Sequence, residues 1–374
     1  MNLYQIETPC LLVDREKVQT NVTRLHGHLA DLGVTLRPHG KTAKNSDVIH
    51  MALVGQQGGI AVSTLNEVDC YFSQGIKDIV YAVGIAPNKL NRVTQLIHKG
   101  AMITLILDSL EQVTAVSEHA QLHRLEIPIF IEVDCDGHRS GVNPDSGLLL
   151  ELASSLRQQA GVRLEGVLTH AGESYNCTSK REIIAIAEQE RVIAVVCAER
   201  LRAEGHECPV VSVGSTPTAL FAADLTGVTE VRAGVFVFFD LVMAGLGVCH
   251  VDDIALWVLT SVIGHQKEKG WVITDSGWTS LSRDRGTAKQ SIDQGYGLVR
   301  DAKGKPLDGL VVSATNQEHG TIERRTVECG HQPLDFDQYR IGTLLRILPN
   351  HACATGAMHD HYYVVDDDQE IVAT

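Results

Sequence analysis

Eight short apolar runs rich in β-branched residues alternate with helix-length segments through the first two thirds of the chain. No other feature restricts the fold as much. The runs cover residues 34–38, 60–63, 79–83, 103–107, 129–133, 164–169, 210–213 and 230–237. Period-3.6 patterning fills most of the intervals, as in residues 182–203. The connection after Val213 is shorter and its helix less well marked. Eight βα units in about 210 residues predict a closed parallel (β/α)8 barrel of the TIM type. An open doubly wound sheet is the alternative. No GxGxxG follows the first strand, which weakens the dinucleotide-binding version of that alternative.

After about Gly245 the rhythm changes. Residues 255–264, 270–275, 310–313, 343–348 and 362–365 read as strands separated by glycine-rich or charged turns. The expected organisation is therefore an α/β barrel over residues 14–245 and a mostly β domain over 246–374. Residues 1–13 join the second domain, with Leu11 to Val13 as an extra strand. No internal repeat or low-complexity tract interrupts this plan. The net charge of −14 disfavours nucleic acid or an anionic membrane as a partner, although it leaves room for a local basic pocket. Residues 1–8 are short and polar rather than signal-like, and no run nears the roughly 20 apolar residues that span a bilayer. Nine cysteines at irregular spacings, with no CxxC pair, predict a reducing, cytoplasmic location. Cys70 and Cys197, inside helical apolar patterns, are expected to be small buried hydrophobes.

Barrel chemistry collects where strands end, and five polar clusters fall at those positions. They are Arg37-Pro-His-Gly-Lys41-Thr-Ala-Lys44, Asp134-Cys-Asp136-Gly-His138-Arg139, Thr169-His170-Ala-Gly172, Gly214-Ser215-Thr216-Pro-Thr218 and Glu230-Val-Arg232-Ala-Gly234. Each also has a plain reading. Lys41 alone is a solvated loop lysine; beside a buried strand it is a candidate Schiff-base amine. His170 is a satisfied core histidine or a face for a flat heteroaromatic ring. Gly214, Ser215 and Thr216 form an ordinary turn or a phosphate site at a helix start. Arg139 and Arg232 are ion-pair partners, Arg232 for example with Glu230, or ligands for the phenolic oxygen or ring nitrogen of a cofactor. In the second domain, His351 and Cys353 share a face if they lie on a strand, and imidazole with thiolate suits zinc. His359 and His361 read as solvated, and Trp278 and Tyr296 as packing residues near the domain junction.

On these residues the chain resembles the fold-type III pyridoxal-phosphate enzymes of the D-serine dehydratase and D-threonine aldolase group, relatives of alanine racemase. The matching stretches run from Thr8-Pro9 to Tyr363. They include Arg37-Pro-His-Gly-Lys-Thr, Asp136-Gly-His-Arg-Ser-Gly, Thr169-His-Ala-Gly, Val211-Ser-Val-Gly-Ser-Thr-Pro-Thr and Pro349-Asn-His-Ala-Cys-Ala-Thr. Asp284-Arg-Gly-Thr287 and Asn316-Gln-Glu-His-Gly320 are similar to stretches of the bacterial D-threo-3-hydroxyaspartate dehydratases. The resemblance implies pyridoxal phosphate on Lys41, His170 against its ring, Gly214, Ser215 and Thr216 at its phosphate, and a homodimer. It implies zinc on His351 and Cys353, where aldolases carry His-x-Asp and use manganese or magnesium. The expected reaction takes a D-β-hydroxy amino acid, D-serine or D-threo-3-hydroxyaspartate, to a 2-keto acid and ammonia. Arg139, Arg285 and His319 are candidates for the substrate carboxylate. An aldolase releasing glycine is the alternative; a racemase or a non-catalytic cofactor-binding protein ranks behind it.

Overall fold

The computed structural model describes residues 2–56, 58–137, 139–325, 334–366 and 371–373. The chain divides into two compact units, Thr23–Gly234 and a second made of Met1–Val22 with Val235–Thr374. It opens with β1 (Cys10–Asp14) and α1 (Arg15–Asp31). Eight strands of one sheet follow: β2 (Thr35–Pro38), β3 (Ile60–Val62), β4 (Asp78–Gly84), β5 (Met102–Leu107), β6 (Ile127–Val133), β7 (Val162–Thr169), β8 (Val210–Val213) and β9 (Glu230–Ala233). Their order is β2-β9-β8-β7-β6-β5-β4-β3, neighbours along this order pair in parallel, and the parallel bridge His39↔Ala61 joins the two ends. The sheet thus closes into the (β/α)8 barrel that the sequence rhythm predicts.

Between the strands run α2 (Ser46–Leu53), α3 (Leu65–Ser73), α4 (Leu90–His98), α5 (Leu110–His123), α6 (Leu148–Gln158), α7 (Lys180–Ala203) and the short α8 (Thr216–Phe221). Asn45, Thr64, Ser109, Ser179 and Ser215 each accept a first-turn N–H through the side chain. Those caps satisfy orphan donors and fix where the helices begin. Ala61, Val80, Ile106, Phe130 and Leu168, one from each of β3 to β7, form a buried cluster. Cys70 departs from expectation and is exposed, because α3 buries Leu65, Glu67, Val68 and Tyr71, which leaves Cys70 on the opposite face. Cys197 is buried as expected. The eighth run is shorter as a strand than the sequence suggests. It ends at Ala233, and Val235–Val237 form a 3-10 turn.

In the second unit β10 (Leu256–Gln266), β11 (Trp271–Thr274), β12 (Gly297–Asp301), β13 (Pro306–Thr315), β14 (Gly320–Arg324) and β15 (Leu344–Pro349) form a ring, because β11 pairs with β10 as well as with β14. Its pairings are antiparallel. β1 pairs with β10, and β16 (Tyr362–Val365) and β17 (Ile371–Ala373) extend the sheet beyond it. Residues 11–13 are therefore the extra strand they were expected to be. β12 and β14 escape the sequence pattern because their short apolar content is mixed with Arg300, Asp301, Glu323 and Arg324. Three short helices complete the unit: α9 (Leu241–Gly245), α10 (Trp278–Leu281) and α11 (Ala352–Gly356).

Candidate active site

The loop after β2 is held at Gly40. Its N–H donates to Ala61 O at 2.8 Å, and its carbonyl accepts from Tyr71 Oη at 2.8 Å. A Cβ here would lie 2.4 Å from the Tyr71 ring, so only glycine fits. The next residue is Lys41. Of the two lysines in this loop, Lys44 gives its Nζ to Glu67 at 2.6 Å. Lys41 is half-buried and its Nζ makes no hydrogen bond or ion pair among the described residues. The structure therefore distinguishes Lys41, the lysine that the sequence singles out, from its neighbour Lys44.

Around Lys41 the electrostatics are cationic. Lys41, Arg139 and Arg232 all act on His170, which lies at the end of β7. Burial first, then those three charges, push the His170 imidazole down to about 3, although its bond to Gly214 O pulls the other way. His170 is therefore neutral and gives its Nδ1–H to that carbonyl at 2.9 Å. Burial also drives His39 well below its ordinary range, with Lys41, Arg232, His170 and Arg139 adding to the effect. Arg139 is exposed and 4.0 Å from Glu132, whereas Arg232 is buried. Neighbouring His138 lies outside the described residues.

Arg232 does not pair directly with Glu230. Its Nη1 donates to Ser212 Oγ at 2.6 Å, and Ser212 Oγ donates to Glu230 Oε1 at 2.6 Å. Glu230 Oε2 is taken by Arg37 Nε at 2.7 Å, and Arg37 also reaches Asp78. The reason is register. Arg37 and Arg232 are opposite each other on β2 and β9, so the two guanidinium groups compete for one carboxylate. Arg232 Nη2 instead holds Thr169 O at 2.5 Å.

The end of β8 forms a cup. Gly214 sits at φ +135°, and a Cβ there would lie 2.2 Å from Arg232 O. Ser215 caps α8 and contacts Ser174 Oγ at 2.8 Å. The Gly214 N–H is already given to Glu190 Oε1, and the Ser215 N–H to Thr218 Oγ1. Gly214 and Ser215 thus shape the loop. Thr216 differs: its Oγ1 is buried without a hydrogen-bond partner among the described residues. An orphaned buried hydroxyl beside a cationic site fits a phosphate oxygen. Together with Lys41 and the neutral His170, it makes these residues fit pyridoxal phosphate.

Glu190 has no place among the sequence-derived candidates, yet a signal for it exists. Along α7 the buried stripe reads Ile183, Ala187, Glu190, Ala194, Cys197, Leu201. A glutamate inside an apolar stripe needs partners.

In the second unit His351 and Cys353 do not lie on a strand. β15 ends at Pro349, His351 is the N-cap of α11, and Cys353 is in its first turn. Asp240 causes this: its Oδ2 accepts the Ala352 N–H at 2.9 Å while its Oδ1 caps α9 at Met243 N. The two side chains still meet. Burial opposes a proton on His351, but hydrogen bonds with Asp284 and Cys353, with the nearby Asp240, raise it to about 11. Asp284 Oδ2 accepts from His351 Nδ1 at 2.6 Å, so a metal would take Nε2, in place of the proton there. Imidazole nitrogen, cysteine sulfur and an orienting carboxylate make a donor set that fits zinc. Among the described residues no group of three or more His, Cys, Asp and Glu is arranged as a metal cage, so the pair would offer a metal two protein ligands.

Arg285, adjacent to Asp284, gives Nη2 to Asp293 at 2.6 Å and lies over the Tyr296 ring. His319 is exposed on the turn between β13 and β14, where its carbonyl accepts from Asn316 N. His359 is half-buried, with its ring at Ser280 O, and His361 is exposed.

Residues 13–242 match the family described as "Alanine racemase, N-terminal domain", and residues 255–365 the one described as "Putative serine dehydratase domain". The chain is 46% identical to the D-threo-3-hydroxyaspartate dehydratase of Delftia sp. (strain HT23), over 99% of this chain and 97% of that protein. It is 30% identical to the D-serine dehydratase of Dictyostelium discoideum, over 99% and 96%. The solved structure of the Delftia sp. HT23 enzyme matches with a TM-score of 0.96, covering 99% of this chain and 97% of that one. A C353A mutant of D-threo-3-hydroxyaspartate dehydratase in the metal-free form matches with the same TM-score of 0.96, at 46% identity, over 99% of this chain and 97% of that one.

Proposed function

The chain belongs to the alanine racemase-like family that carries a serine dehydratase domain, and from that premise we propose that it is a pyridoxal-phosphate-dependent, metal-assisted dehydratase of a D-β-hydroxy amino acid. D-threo-3-hydroxyaspartate and D-serine are the substrates of choice, giving a 2-keto acid and ammonia. The observation that carries the reading is the His351–Cys353 pair, whose sulfur donor suits zinc better than manganese or magnesium. Its two relatives named above are both dehydratases, which supports the same choice.

When bound, the cofactor supplies an electron sink for charge at Cα, and a zinc ion a Lewis acid for the departing hydroxyl. Lys41 anchors the cofactor through its Nζ and, once freed, takes the Cα proton. His170, neutral and held by Gly214 O, offers a flat face to the ring. Arg232, fixed by Ser212 and Thr169, and Arg139 neutralise negative charge around it. Thr216 Oγ1 receives the phosphate within the loop shaped by Gly214 and Ser215. His351 Nε2 and Cys353 Sγ hold the metal, and Arg285 and His319 are kept as carboxylate contacts. The same reading makes the enzyme a cytoplasmic homodimer; the cysteines among the described residues are all free thiols, in keeping with a reducing compartment.

A product assay tests it. The full chain, given pyridoxal phosphate and zinc, is expected to release keto acid and ammonia in equal amounts from these D-amino acids. The activity should disappear on chelation and return with zinc. Glycine as the main product would overturn the dehydratase reading in favour of an aldolase.

A further inference from the structure

Glu190 is among the most deeply buried carboxylates of the barrel, with 1% of its surface exposed. It stands mid-way along α7, and no step of the reaction uses it. Its three contacts all lead to residues around the cofactor cup. Oε1 accepts the Ala171 N–H at 2.9 Å, directly after His170, and the Gly214 N–H at 2.9 Å. Oε2 accepts the Thr218 hydroxyl at 2.8 Å, and that hydroxyl in turn accepts the Ser215 N–H. Gly214 is therefore held through both of its backbone polar groups, since His170 Nδ1 donates to its carbonyl.

We infer that Glu190 is a positioning residue that pre-forms the phosphate cup at Gly214–Thr216 and aligns it with His170. The argument is one of satisfied valence. A carboxylate only accepts, and here two N–H groups and one O–H fill it from two separate segments, the loop after β7 and the β8–α8 connection. Without it, two buried backbone N–H groups would lose their acceptor, and Gly214 would lose what fixes its left-handed peptide. Burial raises the Glu190 carboxyl, while bonds from Thr218, Gly214 and Ala171 and the charge of Arg232 oppose the shift.

The inference rests on the reading that pyridoxal phosphate occupies this cup, so the test compares pyridoxal phosphate with pyridoxal, which forms the same Schiff base without a phosphate. Affinities of both aldehydes are measured for the cofactor-stripped full chain from the Schiff-base absorbance. Glu190→Asp keeps the charge but withdraws the acceptors by one methylene. It is expected to weaken pyridoxal phosphate by about 10- to 100-fold and pyridoxal by much less. Glu190→Gln keeps one oxygen for the two N–H groups and can donate its NH2 to the Thr218 oxygen once that hydroxyl turns, so it should recover most of the selectivity. Glu190→Ala should behave as Glu190→Asp does; if it does not fold, Glu190→Asp alone decides. Equal losses for both aldehydes, or an unchanged ratio, would overturn the inference and make Glu190 a general core residue. If the unmodified chain forms no Schiff base with pyridoxal phosphate, the cofactor reading itself fails, a result distinct from either.

Discussion

Asp284 Oδ2 lies 2.6 Å from His351 Nδ1, so one nitrogen of this imidazole is committed to a carboxylate and only the other could take a metal. Partners of this kind fix the tautomer and raise the basicity of the ligand. Asp284→Asn is therefore expected to weaken zinc binding by about 10- to 100-fold while Cys353 remains in place. Competition against a chelator of known affinity reads this directly. Unchanged affinity would mean that Asp284 orients nothing the metal needs.

Lys41 and Lys44 sit three residues apart with different surroundings, and substitution should separate them. Borohydride reduction of the pyridoxal-phosphate-loaded chain, followed by peptide mapping, is expected to label Lys41. Lys41→Ala should abolish the label and lower turnover by at least about 10²–10⁴-fold, the range for a lost general base. Lys44→Ala removes one partner of Glu67, whose other oxygen still accepts the Ser63 N–H, and should cost about 1 kcal/mol of stability while retaining the label. A label on Lys44 in the unmodified chain would reverse the assignment.

Two left-handed glycines provide an internal control for the cup. Gly205 (φ +74°) has nothing within 4 Å of an added Cβ, whereas at Gly214 the added atom meets Arg232 O at 2.2 Å. Gly205→Ala should cost only the backbone penalty of about 1–2 kcal/mol. Gly214→Ala must also displace β9, and is expected to cost more and to abolish pyridoxal-phosphate binding. Urea unfolding of the two variants, with a cofactor titration, checks both statements.

His170 makes the stability of the cofactor-free chain depend on pH. The unfolded imidazole takes a proton below about 6.5, the folded one only near about 3. Between those values the unfolded state binds more protons, so the stability present above 6.5 is lost as the pH falls through this window. The urea midpoint should therefore drop between pH 7 and pH 4, and drop less in His170→Phe. Parallel curves for the two proteins would show that His170 is not held neutral by the fold.

The barrel was legible because burial on both faces of a parallel strand imposes apolar runs, which β3 to β6 show most clearly, whereas β2 and β9 carry Arg37, Glu230 and Arg232. Lys41, His170 and Arg232 were legible because strand ends are where a barrel gathers polar groups. Contacts distant along the chain were not. Nothing near Glu230 in the sequence indicates that Arg37 takes its carboxylate and leaves Arg232 to Ser212. The His351–Cys353 pair was found on a wrong premise, since strand alternation was expected and Asp240, more than a hundred residues earlier, turns the chain into a helix there. Side chains two apart at a helix N-cap converge here as well, so the pairing survived the change of backbone.

The barrel is a hoop fastened unevenly. Its neighbouring strands share between two and seven residue pairs, but β2 and β3 meet at the single bridge His39↔Ala61, reinforced by Gly40 N to Ala61 O. Lys41 is the next residue along, so opening the latch would displace the backbone that carries its side chain. Anything carried on Lys41 loads that latch, and the Gly40 amide proton is where the added resistance to opening would register as slower exchange with solvent.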